Sequence, residues 1–131
     1  MKHAAVYLAI FLTMFIIDMI WLRGIAVNWY QQGIGHLMTQ SPNLFAAAAF
    51  YLLFPLGLMV FAVLPGDGAT VLKVALTGAM FGFFAYATYD LTNLATLKAW
   101  PVGLAVLDMA WGTLVSGVAS AAGKFAFNAM K

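Results

Sequence analysis

Four long apolar stretches separated by short polar breaks set the pattern of this chain. The first runs from about Ala4 to Leu22 and is closed by Arg23. The second, from about Leu44 to Leu64, carries no charged residue, and Pro55 within it predicts a kink. Pro65-Gly66-Asp67-Gly68 then reads as a turn. The third stretch runs from about Val71 to Leu97 and contains Asp90. Lys98-Ala99-Trp100-Pro101 is a short connection, and Pro101 suits the first turn of a helix. The fourth stretch, from about Pro101 to Ala122, contains Asp108 and ends at Gly123-Lys124. Each has the ~20 residues an α-helix needs to cross a ~30 Å hydrocarbon core. The expected fold is all-α: an integral membrane bundle of four transmembrane helices, forming a single membrane domain over residues 1–131.

The segment from Gly24 to Asn43 breaks this pattern. It mixes Asn28, Tyr30, Gln31, Gln32, His36 and Gln40 with scattered apolar residues, too polar to span and long for a simple connection. An interfacial loop or a short helix lying on the membrane is expected there. The first apolar stretch exceeds the ~7–15 residues of a signal-peptide core, carries Asp18 and lacks a clear small-residue cleavage site, so it reads as a retained helix.

Composition sharpens the membrane reading. Of 131 residues, 65% are hydrophobic and 8% charged, against roughly 25% charged in an ordinary soluble domain. So few charges cannot cover a soluble globule, whereas lipid tails solvate apolar side chains directly. Cysteine is absent, which excludes disulfides, thiol catalysis and cysteine metal sites. The six basic residues form no run, so the expected partners are membrane lipids and not nucleic acid. Lys2, Lys73, Lys124 and Lys131 fall on the side of both termini, and Arg23 and Lys98 on the other. That excess predicts a membrane protein with both termini on the cytoplasmic side.

Three of the four acidic residues, Asp18, Asp90 and Asp108, lie inside predicted spans, where each costs ~2.5–3.5 kcal/mol at a helix centre. Asp18 stands five residues before Arg23, or ~7 Å along a helix; Asp90 stands eight before Lys98, or ~12 Å; Asp108 stands seven after Pro101, or ~10 Å. All three therefore approach the same, non-cytoplasmic face. Trp21 and Trp111 follow Asp18 and Asp108 at a spacing of three, and Tyr86, Tyr89, Asp90 and Asn93 share one helical stripe. Gly78 and Gly82 continue that stripe, at a spacing that allows close helix approach. The expectation is a polar, aromatic-walled ligand or proton site between helices; the alternative is an interhelical hydrogen-bond cluster that only holds the bundle together. Three close carboxylates cannot all stay charged alone, so one is expected to be protonated, or paired with Arg23, Lys98 or a bound cation.

Asp18-Met19-Ile20-Trp21 recurs as Asp108-Met109-Ala110-Trp111 on helices that would run antiparallel. That is either an inverted repeat, as in many transporters, or a coincidence of packing. Arg23 and Lys98 either neutralise the aspartates or snorkel to headgroups. Trp100 and the terminal tyrosines suit interface anchors, and His36 reads as an ordinary interfacial histidine before a metal ligand or proton carrier. No hydrolase elbow, P-loop, zinc motif or dinucleotide fingerprint is present; no metal site is indicated, and the sequence leaves any cofactor open.

The run Tyr86-Ala87-Thr88-Tyr89-Asp90-Leu91-Thr92-Asn93-Leu94-Ala95-Thr96-Leu97 with Trp100-Pro101 resembles the signature of a bacterial family of predicted membrane proteins, domain of unknown function 2177. The resemblance extends to Asp18 with Trp21-Leu22, to Pro42-Asn43, to Phe50-Tyr51-Leu52-Leu53 and to Asp108 with Trp111-Gly112. It implies a four-span membrane protein of bacterial origin and supplies no activity, substrate or cofactor. The leading functional expectation is a binder or carrier of a small or lipid-like ligand at the aspartates; a carrier of this size is expected to form a homodimer. A membrane enzyme acting on a lipid, with the aspartates as acid and base or as cation ligands, is the first alternative. An accessory subunit of a larger complex is the second.

Overall fold

The structure, a computed structural model, describes residues 1–131, and every regular element in it is helical. Helix α1 spans Lys2–Ile20 and continues through a wider π turn, Trp21–Ile25. Helix α2 is short, Val27–Ile34, and is followed by a single 3-10 turn, Gly35–Leu37. Helix α3 spans Leu44–Leu58 and runs on through a second π turn, Met59–Val63; α4 spans Val71–Thr96 and α5 spans Val102–Ala129. With their extensions, α1, α3, α4 and α5 are each long and apolar enough to cross a membrane. The chain is thus a membrane protein with four candidate spans, and the polar segment between the first two holds the non-spanning α2.

Side-chain periodicity explains the bundle. On α1, Val6, Ile10, Met14 and Asp18 recur every four residues and are buried. Leu8, Leu12, Ile16 and Ile20 recur at the same interval and are exposed. The two series are offset by two residues, about 200° around a helix, so an inner stripe faces the bundle and an equally apolar outer stripe faces away. In water such an outer face would be a liability; in hydrocarbon it is solvated. Asp18 ends the inner stripe, which is why its carboxylate points at other helices. The core that α1 meets comprises Leu58, Val63, Val74, Val115, Ala119 and Phe127.

The tightest helix pair is α4 with α5. Gly78 and Gly82 of α4 meet Ser120 and Ser116 of α5, so closely that a Cβ on either glycine would overlap the facing serine. Gly112 of α5 makes room in the same way for the Tyr86 ring. These contacts fix the register that brings Asp90 on α4 level with Asp108 on α5.

Helix α3 is held differently. Asn43 caps its start, the side-chain oxygen accepting from the Ala46 amide at 3.1 Å. The π turn Met59–Val63 packs on α4 and α5, but the first half of α3 stands away from them. There it is tied to α1, through the Tyr7 hydroxyl donating to the Leu52 carbonyl at 2.7 Å and through Tyr51.

Pro55 lies inside α3, which keeps α geometry to Leu58 and widens at Met59–Val63. One local expectation changes: the last helix does not end at Gly123-Lys124 but runs to Ala129. Lys124 is 1% exposed, and its ammonium donates to the Gly66 and Asp67 carbonyls at 2.8 Å each. It thereby satisfies the end of the α3 extension from inside the bundle, so its charge is no signal for the helix to stop.

Replacing Gly82 with leucine should cost at least the ~1–3 kcal/mol of an overpacked core, seen as a lower melting temperature of the purified protein. Gly24→Leu, where a Cβ meets nothing within 4 Å, should leave the melting temperature unchanged. Equal melting temperatures for the two variants would show that α4 and α5 do not approach this closely.

Candidate functional site

The wedge between the standing half of α3 and the other helices is a half-open cavity of about 1130 Å³. It is lined by 26 residues, 21 of them hydrophobic. Asp18 from α1, Asp90 from α4 and Asp108 from α5 all line it, and all three are buried, at 4%, 1% and 8% exposed. The α3 wall, by contrast, is apolar apart from the hydroxyl of Tyr51.

Each carboxylate has a different environment. Asp18 accepts two hydrogen bonds, from Tyr51 Oη at 2.5 Å and from Trp111 Nε1 at 2.8 Å, one on each oxygen. Asp108 accepts from Tyr30 Oη at 2.6 Å on Oδ1. Asp90 lies beside Asp108, and its Oδ2 is buried with no hydrogen-bond partner. Neighbouring carboxyls in an apolar cavity call for hydrogen-bond donors or a cation. Arg23 lines the cavity, but neither it nor Lys98 forms an ion pair; the only salt bridge in the protein is Lys131 with Asp67 at 3.5 Å. Neutralisation of the aspartates by either basic side chain, one of the sequence expectations, is therefore not what the structure contains.

The repeated Asp-x-x-Trp motifs meet each other. Helices α1 and α5 run antiparallel: Lys2 sits over the Phe127 ring, Ile10 against Gly123 and Asp18 against Trp111. Trp21 and Trp111 stack face to face, with centroids 4.4 Å apart and planes 6° from parallel. Trp111 donates across to Asp18 of the other motif. Trp21 reaches Asp108 indirectly, its Nε1 donating at 3.2 Å to Tyr30, which in turn donates to Asp108. The two motifs thus serve each other crosswise about a local two-fold, with Tyr30 as the single asymmetric insertion.

Tyr30 makes α2 part of the site. Burial, above all, and then the hydrogen bond to Asp108 push its phenol well above the ordinary value. It remains a donor through the physiological range. A phenol raised in the folded state contributes stability that is complete below about pH 10, its ordinary value, and is lost as pH rises beyond it.

Of the other residues singled out from the sequence, Tyr86, Tyr89 and Trp111 line the cavity, whereas Trp21 lies behind Trp111 and not in the wall. Asn93 does not reach the cavity; its backbone carbonyl accepts from Leu97 at the end of α4. Gly78 and Gly82 lie on the α5-facing side of α4, below the site. Trp100 is buried in the cavity wall with an unpartnered Nε1, brought there by a left-handed turn at Ala99 (φ 59°). Tyr30 and Tyr51, the donors that hold two of the carboxylates, were not picked out as site residues from the sequence. His36 is exposed, and no group of three or more histidine, aspartate or other ligating side chains is arranged to hold a metal ion.

The chain belongs to the DUF2177 family of predicted membrane proteins, which it matches over residues 3–125. No curated protein and no solved structure matches it. The DUF2177 match covers all three carboxylates, both Asp-x-x-Trp motifs and the tyrosines that bind them. Within this DUF2177 chain, Tyr30→Phe should release α2. Loss of a hydrogen bond to a carboxylate is worth ~1.5–3 kcal/mol, so amide exchange over residues 27–34 should rise by about tenfold or more. Unchanged exchange would mean that apolar packing alone holds α2 in place.

Proposed function

We propose that this protein binds and carries an amphipathic, lipid-like molecule whose polar head meets the Asp18, Asp90 and Asp108 wall and whose apolar part lies along α3. The carrying observation is a cavity of about 1130 Å³ that combines 21 hydrophobic lining residues with a buried, unpartnered carboxylate oxygen. A bundle needing only stability would close such a wedge with side chains, because empty apolar volume and unpaired buried polar atoms both cost free energy. Apolar walls with a few convergent polar groups are the usual form of a small-molecule site. The half-open shape and the lipid-facing surroundings favour a ligand drawn from the membrane.

We further propose that the protein sits in a bacterial inner membrane with both termini cytoplasmic. Because Lys124 is held inside the bundle, the remaining basic residues favour that orientation by three, Lys2, Lys73 and Lys131, against two, Arg23 and Lys98. The protein has no cysteine, so a single Asp67→Cys substitution reports the orientation. Its thiol should react with a membrane-impermeant reagent only after the cells are opened. Labelling in intact spheroplasts would reverse the topology.

The cavity reading is tested by occupancy. Protein purified from membranes should carry a bound amphiphile visible by native mass spectrometry. Ala85→Phe, which places a ring in the cavity wall, should lower that occupancy by about tenfold, the effect of ~1.4 kcal/mol. Leu72→Phe, on the outer surface, should leave it unchanged. Equal occupancy in the two variants would mean that the adduct is annular lipid and the cavity is not its site.

A further inference from the structure

We propose that the head group accepted here carries a protonated amine next to an oxygen acceptor, as in an amino alcohol with a long alkyl tail. This rests on the reading of the cavity as a ligand site and names the chemistry of its occupant.

The hydrogen-bonding inventory of the wall points to a cation. Both Asp18 oxygens are already taken, by Tyr51 and Trp111, and Asp108 Oδ1 by Tyr30. What remains is Asp90, 1% exposed with Oδ2 unpartnered, beside the free side of Asp108. A pair of adjacent carboxyls calls for donors and for positive charge, and an ammonium supplies three donors, no acceptor and one charge. An alcohol supplies one donor and no charge. A fatty acid or a phosphate monoester would bring a further anion to a wall that already holds three carboxyl groups against the single cation Arg23.

The aromatic groups point the same way. Tyr86, Tyr89, Trp100 and Trp111 all line the cavity around the carboxylates. Aromatic faces attract ammonium groups most strongly where water is excluded. One buried donor in the wall also has no partner: Trp100 Nε1, in a side chain 8% exposed. An ammonium cannot satisfy it, so the head also needs an oxygen. Tyr89, next to Asp90 in the chain, packs edge-on against Trp100, with ring centroids 5.8 Å apart. An amine and a hydroxyl on neighbouring carbons offer the donors and the acceptor together, and the alkyl tail matches the apolar remainder of the lining.

The test compares four probes with the same dodecyl chain: 2-aminododecan-1-ol, dodecylamine, dodecan-1-ol and dodecanoate. Each is titrated calorimetrically into the full-length protein in maltoside micelles. The amino alcohol should bind about tenfold more tightly than the amine, one hydrogen bond's worth, and about a hundredfold more tightly than the alcohol. Asp90→Asn should reduce amino-alcohol affinity to that of the alcohol, and Trp100→Phe to that of the amine. Trp100→Phe keeps the comparison available if the aspartate variant fails to fold. Tightest binding by dodecanoate, or equal affinity for all four probes, overturns the head-group assignment and leaves the cavity reading standing. Binding of none of the four overturns both.

Discussion

A carboxylate inside an apolar bundle must find its hydrogen-bond donors within the protein, and Asp18 finds two, from two different helices. Tyr51 reaches it from α3 and Trp111 from α5, so one side chain of α1 ties three spans at one point. In hydrocarbon no water competes for these bonds, and their loss would leave a buried carboxyl group unsatisfied. The stacked Trp21–Trp111 pair and the Tyr30 bridge to Asp108 extend the same tie to α2. The polar cluster is therefore a structural joint as well as a candidate site. Asp18 accepts one protein donor on each oxygen, whereas Asp90 Oδ2 has none.

The two ends of the bundle follow different rules. Toward the termini, Gly78, Gly82 and Gly123 let helices touch, and Lys124 closes the end of the α3 extension with two hydrogen bonds. Toward the other end, bulky rings and carboxylates replace glycines and serines, and the first half of α3 is held by single tyrosine hydroxyls. Side-chain volume there exceeds what close helix approach allows, so the helices separate. A rigid end that sets the register and a looser end that leaves space is an arrangement suited to admitting a ligand without unfolding the bundle.

The four spans were legible because length and apolarity decide them almost alone. The shared depth of Asp18, Asp90 and Asp108 followed from counting residues to Arg23, Lys98 and Pro101 at the helical rise, and their common cavity is consistent with that count. Residue counting could not find the donors. Tyr51 sits in an otherwise uncharged apolar run, and Tyr30 in a polar segment whose docking depends on the π turn after Trp21. Asn93 shares a stripe with Asp90, but lies almost a turn nearer the helix end, past the cavity. Lys124 looked like a helix terminator because a lysine after an apolar run usually meets headgroups; only the position of the Gly66 and Asp67 carbonyls shows that it turns inward.

What occupies the space between α3 and the carboxylates decides whether this cavity is a binding site. A density map of the protein, solved in a lipid bilayer, addresses this directly. It should show an elongated feature between α1, α3 and α4, with its head within hydrogen-bonding distance of Asp90 and its tail along the apolar wall. A wedge closed by inward movement of α3, or filled by side chains of this chain or of a second copy, would contradict the account.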